Sequence, residues 1–172
     1  MAIKGSQPKQ SKYAGANDIS LGRTYFDYND KDGKSQYVVK VLSFNDGEHP
    51  KTGQNFFGGD YEVLVTDNDN VEPGDVLSTY TAEDPRPKNR PFFFKDIAKI
   101  LYACDPDIED LEKAIEAAVT DEQPYAGKII VVDVTPDAKR NDKNGRPYPQ
   151  RKFMTLKEAG IDPATLPKDK AA

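Results

Sequence analysis

Residues 36–66 read QYVVKVLSF, NDGEHPKTGQN and FFGGDYEVLVT, two apolar runs on either side of a polar loop. Both runs are rich in Val, Phe, Tyr and Leu and partly alternate apolar with polar side chains, which is typical of half-buried strands. The loop contains Pro50 and Gly53, and its length suits a long hairpin arm better than a two-residue turn. We therefore expect two long strands here, with Gly58 and Gly59 marking a bulge or a sharp bend.

The rest of the chain adds further strand patterns and one helical region. Strands are expected at 76–81, 128–135 and 147–156, helices at 92–102 and 108–118, and an aromatic hairpin arm at 23–28 that pairs with 36–44. About six strands with an inserted helical pair predict a mostly β fold, a small and partly open β-barrel that is OB-like. An unrelated α+β sandwich stays open as the alternative.

The length of 172 residues fits one domain, and the polar ends predict how that domain is bounded. We expect a flexible N-terminal arm over residues 1–20, the folded domain over 21–157 and a polar C-terminal tail over 158–172, with one helical turn before Gly160. No apolar run approaches the ~20 residues that span a membrane, and the first residues lack the apolar core of a secretory signal.

Cysteine and histidine are too rare for most catalytic or metal chemistry. Cys104 is the single cysteine, which excludes an internal disulfide and fits a reducing, intracellular setting. His49 is the single histidine and lies in a polar loop, so neither a Cys/His metal site nor a Ser/His/Asp set can be assembled. We expect no metal, no cofactor and no enzymatic activity.

Charge is segregated along a chain whose net charge is −5. Residues 86–99 contain five basic side chains against one acidic side chain, and residues 139–157 contain seven against one. The stretch between them, 105–122, is strongly acidic. Two basic segments on an acidic protein are able to form one groove for a phosphate backbone, although solvated loop charges without a partner remain the alternative.

Aromatic side chains beside polar loops supply the second half of a single-strand binding pattern. A protein that binds single strands needs a few exposed rings on which bases stack, each contributing about 1–3 kcal/mol. The best candidates flank polar loops: Tyr28, Phe56, Tyr80 and Tyr148. For each ring taken singly, packing into the core is the competing interpretation.

Seven motifs follow one another in a recognisable order: YVVKVLSF, KTGQNFF, YEVLVT, VEPGDVLS, FKDIAKILYA, PYAGKIIVVDV and the basic hairpin KNGRPYPQRKF. This order, which covers about residues 22–157, resembles the phage-encoded single-stranded DNA-binding proteins with an OB-type fold. The resemblance is one of pattern and order along the chain.

The resemblance implies a protein that coats single-stranded DNA, largely independently of sequence, during phage DNA replication and recombination in the cytoplasm of an infected host cell. Its implied partners are single-stranded DNA and replication or recombination proteins, with double-stranded DNA and RNA left open and no membrane. The implied backbone contacts are Lys40, Lys51, Arg86, Lys88, Arg90, Lys139, Arg140, Lys143, Arg146, Arg151 and Lys152. The alternative is a non-catalytic structural or protein–protein interaction module of a phage, which the acidic helix at 108–118 favours.

Overall fold

The computed structural model describes residues 24–167. The expected N-terminal arm over 1–20 and the last residues of the expected tail lie outside the described residues. The main elements in chain order are β1 (Ser35–Glu48), β2 (Asn55–Thr66), β3 (Val76–Ala82), α1 (Arg90–Cys104), α2 (Leu111–Ala118), β4 (Ile129–Asn141), β5 (Pro147–Met154) and α3 (Leu156–Ala159). Within this range, no helix is long and apolar enough to cross a membrane.

The strands form one antiparallel sheet in the order β3-β2-β1-β4-β5. The mostly β fold and the helical pair between the third and fourth strands are confirmed. The sheet is not closed into a barrel, because β3 and β5 form its two edges and do not pair with each other. This gap between the two edge strands determines where the candidate site lies.

The main core fills the space between the inner face of the sheet and the two longer helices. Tyr37 and Tyr61 from the strands are fully buried, and so are Ile97, Ile100 and Leu101 from α1. The spacing of these three α1 residues places them on one helical face, which packs across the sheet. Burial of each such side chain contributes about 1.5–3 kcal/mol, so packing holds α1 in place although its N-cap makes no side-chain hydrogen bond.

The irregularities in the pairing of β1 with β2 lie away from Gly58 and Gly59, so the expectation of a bulge at these glycines was wrong. Register shifts occur between Val38 and Val39 and between Val41 and Ser43, whereas the glycines pair regularly with both neighbouring strands. The second shift turns Phe44 into the core. The inward-facing glycine, Gly59, is needed for close packing, as a Cβ there would lie 2.7 Å from the Tyr61 hydroxyl.

The segment at residues 24–28 does not form the expected hairpin with β1. Strand β1 already pairs with β2 on one edge and with β4 on the other, which leaves no edge for another strand. The segment lies instead in the gap between β3 and β5. The Ser78 amide donates to the Thr24 carbonyl oxygen on the β3 side, and Arg151 Nε donates to the Phe26 carbonyl oxygen on the β5 side, each at 2.8 Å.

The C-terminal segment covers the outer face of β1, β4 and β5. A capping box at Thr155 starts α3, and Gly160 ends it in the left-handed conformation, as the sequence predicts for one helical turn. Apolar side chains at 156, 161 and 166 then pack on Val38, Val131 and Met154. Residues 158–166 therefore belong to a second small core, although the sequence assigned them to a polar tail.

Candidate functional site

A cleft of about 310 Å³ lies between the edge strands β3 and β5, above α1. We call it the β3–β5 cleft. Its polar lining includes Tyr80 from β3, Lys99 from α1, Arg140 from β4, and Gln150 and Arg151 from β5. The gap in the sheet thus brings one cation from the basic segment 86–99 together with two from the segment 139–157. Asp96 lines the same cleft and lies 3.7 Å from Lys99, so it offsets one of the three charges.

Three of the four predicted aromatic platforms lie around this cleft. Tyr80 is 42% exposed and stacks on Phe56, with ring centroids 5.2 Å apart and planes 23° from parallel. Tyr148 is 46% exposed, and the Arg140 guanidinium lies 5.9 Å from its ring centroid. Phe56 and Tyr80 therefore form a stacked pair on the β3 side of the cleft, and Tyr148 lies beside the cleft residue Arg140.

Tyr28 is not available as a stacking platform, which corrects the expectation from the sequence. Its side chain is only 6% exposed, and the Arg146 guanidinium lies 4.1 Å from the ring centroid. The hydroxyl donates to the Pro147 carbonyl oxygen at 2.7 Å. The ring therefore joins the residues before β1 to the β4–β5 hairpin and has no face open to a base.

Arg146 is a structural residue in this arrangement rather than an available backbone contact. Its Nη1 donates to Asp27 at 3.2 Å, and its Nη2 and Nε donate to Asp30 at 2.9 and 3.1 Å. All three nitrogens of the guanidinium are therefore used within the chain. The β4–β5 turn is held by these ion pairs against the residues that precede β1.

The cations at 86–90 lie away from the β3–β5 cleft. Arg86 donates through Nε and Nη2 to the two oxygens of Asp84, at 3.0 and 2.8 Å, and these hydrogen bonds hold the Asp84 pKa well below its usual value. Arg90 lies 3.1 Å from Glu83 and beside the β1–β2 loop. Lys88 is exposed nearby, in the short turn that precedes α1.

The other candidate lysines lie on separate surfaces, and none of them lines the β3–β5 cleft. Lys40 is on the outer face of β1, 3.6 Å from Glu62. Lys152 pairs in register with Asp133 on β4 and does not line the cleft. The remaining ones are exposed on loops and on the β4–β5 hairpin: Lys51, Lys139 and Lys143.

Lys99 and Tyr25 belong to the surroundings of the site although the sequence did not single them out. Tyr25 is 42% exposed and forms an isolated parallel bridge with Ser78 on the edge of β3. In the sequence, Lys99 stands out only as one of the cations in the basic segment 86–99. Its neighbours Ile97 and Ile100 are buried, and this spacing could have indicated that Lys99 lies at the edge of the buried helix face.

Cys104, His49 and the acidic side chains are the residues from which metal or nucleophile chemistry would be built. Residues 24–167 contain no group of three or more His, Cys, Asp or Glu side chains that could hold a metal ion. Burial raises the pKa of the Cys104 thiol to about 12, so it is protonated at neutral pH. His49 has a local role, since its Nδ1 accepts the Lys51 amide at 3.1 Å in the β1–β2 loop.

The site is therefore a surface cleft in which cations and exposed aromatic rings meet. Comparisons with models of known protein families, with curated proteins and with solved structures find no match to this chain. Its function has to be inferred from the cleft and from the sequence pattern.

Proposed function

We propose that this protein binds single-stranded DNA with little sequence preference, through the β3–β5 cleft and the aromatic rings around it. The observation that carries the proposal is the meeting of Arg140 and Arg151 with the exposed rings of Tyr80 and Tyr148. Cations attract the phosphate backbone, and rings stack with any base, so the combination binds single strands without reading sequence.

As part of this proposal we assign an OB-type fold, which the order of the strands in the sheet supports. OB-folds are five-stranded, partly open barrels that bind through the face of strands 2 and 3 and the loops that follow strands 1 and 4. Here the outer face of β2 and β3 carries the stacked rings of Phe56 and Tyr80. The β4–β5 hairpin next to the cleft presents Arg140 and Tyr148.

The biological setting that we propose rests on the resemblance of the motif order. Phage-encoded single-stranded DNA-binding proteins act in DNA replication and recombination in the cytoplasm of the infected cell, and we propose that role here. Replication or recombination proteins would then be further partners. Unpaired bases can stack on exposed rings, whereas the bases of a duplex are already stacked on one another, so single strands are favoured over duplex DNA.

The proposal is tested by measuring the fluorescence anisotropy of labelled oligo-dT, with duplex DNA and oligo-U as competitors. Substitution Tyr80→Leu should weaken binding by about 5- to 100-fold, the loss of one stacked base. Tyr102→Leu is the matched control, since Tyr102 is 39% exposed on α1 and does not line the cleft. The absence of oligo-dT binding at micromolar protein, or equal losses in both variants, would refute the proposal.

A second candidate, a non-catalytic protein–protein interaction module, is favoured by a different surface. A groove of about 470 Å³ runs beside α1 and is lined mainly by Pro87, Pro91, Phe94 and Leu111. Phe92, on the same helix, is 59% exposed. If substitution Phe92→Ser abolished binding to a replication partner and left oligo-dT binding unchanged, the groove would be a separate interaction surface.

A further inference from the structure

The five arginines in the described residues differ in how much of each guanidinium is already used. Arg86 and Arg146 both donate from terminal nitrogens to carboxylates of the chain. Arg90 is paired through Nε with Glu83 and does not line the β3–β5 cleft. Arg140 and Arg151 donate only through Nε, to Asp137 and to the Phe26 carbonyl oxygen. Nε bonding fixes the plane of a guanidinium and leaves its Nη1–Nη2 edge free, and that edge binds phosphate with two parallel hydrogen bonds. Both of these arginines line the β3–β5 cleft.

Arg151 makes no ion pair in the part of the chain that the structure describes, and Asp27, whose charge raises the Arg151 pKa from a distance, is bound to Arg146. Its side chain is half-buried, and its one hydrogen bond, 2.8 Å long, goes to a neutral carbonyl oxygen. Burial lowers the pKa of the guanidinium, although Arg remains charged at any working pH. A half-buried cation is normally paired, so this position favours an incoming anion.

The free nitrogens of Arg151 are accessible from outside the protein. No buried side-chain nitrogen or oxygen in residues 24–167 lacks a hydrogen-bond partner. Nη1 and Nη2 of Arg151 have no partner, and they must therefore reach solvent. Since Arg151 lines the β3–β5 cleft, an anion that enters this cleft can meet them.

Arg140 lies at the rim of the cleft and is also held through its Nε, by Asp137. Asp137 accepts from Arg140 Nε at 3.0 Å and from the amide of Lys139 at 2.8 Å. These contacts hold the Asp137 pKa below its usual value, the Lys139 amide contributing most. Asp137 therefore stays ionised and keeps Arg140 in place near the ring of Tyr148.

We propose that Arg151 and Arg140 form a receptor for one backbone phosphodiester, with Arg151 as its anchor and Arg140 at its rim. This inference rests on the proposed function and makes it specific, since it selects two arginines out of eleven candidate cations. It also assigns Arg86 and Arg146 to the structure of the fold.

The test compares variants on two ligands, oligo-dT and the same oligomer with uncharged methylphosphonate linkages. Arg151→Gln should weaken oligo-dT binding by about 10- to 100-fold, the range expected for a hydrogen bond to a charged group. The same substitution should change binding of the uncharged oligomer less than about 2-fold, because no phosphate remains to be lost. Arg86→Gln is the control and should leave both affinities unchanged, since Arg86 is bound to Asp84 outside the cleft.

Arg140→Gln keeps the proposal testable if Arg151→Gln does not fold, because the Arg140 side chain is 72% exposed. Equal losses on the charged and uncharged oligomers would overturn the proposal and assign Arg151 to the fold alone. An affinity of Arg151→Gln for oligo-dT within 2-fold of that of Arg86→Gln would overturn it too, while the proposed function would stand.

Two further outcomes distinguish free phosphate from a phosphodiester as the ligand, and failure of the receptor from failure of the proposed function. Binding of inorganic phosphate at the cleft without any binding of oligo-dT would assign the site to free phosphate and overturn the diester receptor. If the wild-type protein bound neither oligomer, the proposed function would fail and the receptor with it.

Discussion

Substitution Gly59→Ala tests the packing of the inner sheet face most directly. A Cβ at Gly59 would lie 2.7 Å from the Tyr61 hydroxyl and 2.9 Å from two carbons of the Phe44 ring. Both neighbours are fully buried, so neither ring can turn toward solvent. The Tyr61 hydroxyl is also hydrogen-bonded to the Thr79 hydroxyl at 2.9 Å, so any shift of Tyr61 disturbs a buried pair.

The expected cost follows from these contacts. Overpacking a well-filled core costs about 1–3 kcal/mol, and weakening a buried hydrogen bond adds about 1 kcal/mol. Unfolded Ala has less conformational entropy than unfolded Gly, which offsets about 0.4–1 kcal/mol of this cost. We therefore expect Gly59→Ala to lower the free energy of unfolding by about 2–3 kcal/mol, measured by urea denaturation followed by tyrosine fluorescence.

Gly58→Ala is the matched control, because it is the same substitution one residue along the strand and on the opposite face. A Cβ at Gly58 would lie 3.0 Å from the Asn45 amide oxygen, which belongs to a partly exposed side chain that can move. Its expected cost is below about 1 kcal/mol. Equal losses in the two variants, or a loss below 0.5 kcal/mol at Gly59, would refute the assignment of the two faces of β2.

Three further predictions concern elements that support the sheet. Gln123→Ala should lower the free energy of unfolding by about 2 kcal/mol. The side chain of Gln123 accepts a hydrogen bond from the Phe44 backbone N–H and donates one to the Phe44 carbonyl oxygen, each at 2.8 Å. An unchanged urea midpoint would contradict this prediction. Cys104 should react with thiol reagents at pH 8 only as fast as the protein unfolds, because burial raises its pKa to about 12; rapid labelling of the native protein would show that the thiol is accessible. Ile161→Ser should lower the urea midpoint and leave oligo-dT affinity unchanged, since residue 161 packs on Val38, Val131 and Met154 and does not line the β3–β5 cleft. Equal stability of variant and wild type would show that this segment does not cover the sheet.

Local patterns were sufficient to predict most elements but not their neighbours in space. Alternation and helical spacing predicted the strands and helices to within a few residues, because both periods follow from local backbone geometry. Which strand edges stay open depends on pairing between distant segments. Once β1 pairs on both sides, residues 24–28 can only lie elsewhere, and no local signal carries that information.

The candidate site was predicted less well, because it too depends on contacts between residues that are distant in sequence. The sequence located the basic segments but could not show which of their charges are neutralised by the chain. Arg146 meets Asp27 and Asp30, more than a hundred residues away in sequence. Tyr28 precedes a polar loop, as an exposed ring would, yet it is covered by Arg146.

The number of phosphates that this protein contacts should consequently be small. For single strands the logarithm of the binding constant falls with the logarithm of the salt concentration by about 0.7 per neutralised phosphate, so eleven contacts would give a slope of about −8. Three cations line the β3–β5 cleft, Lys99, Arg140 and Arg151. Since the two arginines share one phosphate in the proposed receptor, the cleft neutralises two phosphates and predicts a slope of about −1.4. Lys152 is not counted with them, because it does not line the cleft. Titrations of oligo-dT over a range of NaCl concentrations measure this slope. A slope steeper than about −5 would mean that the lysines on the outer surfaces carry most of the binding, which would remove the cleft from its central role.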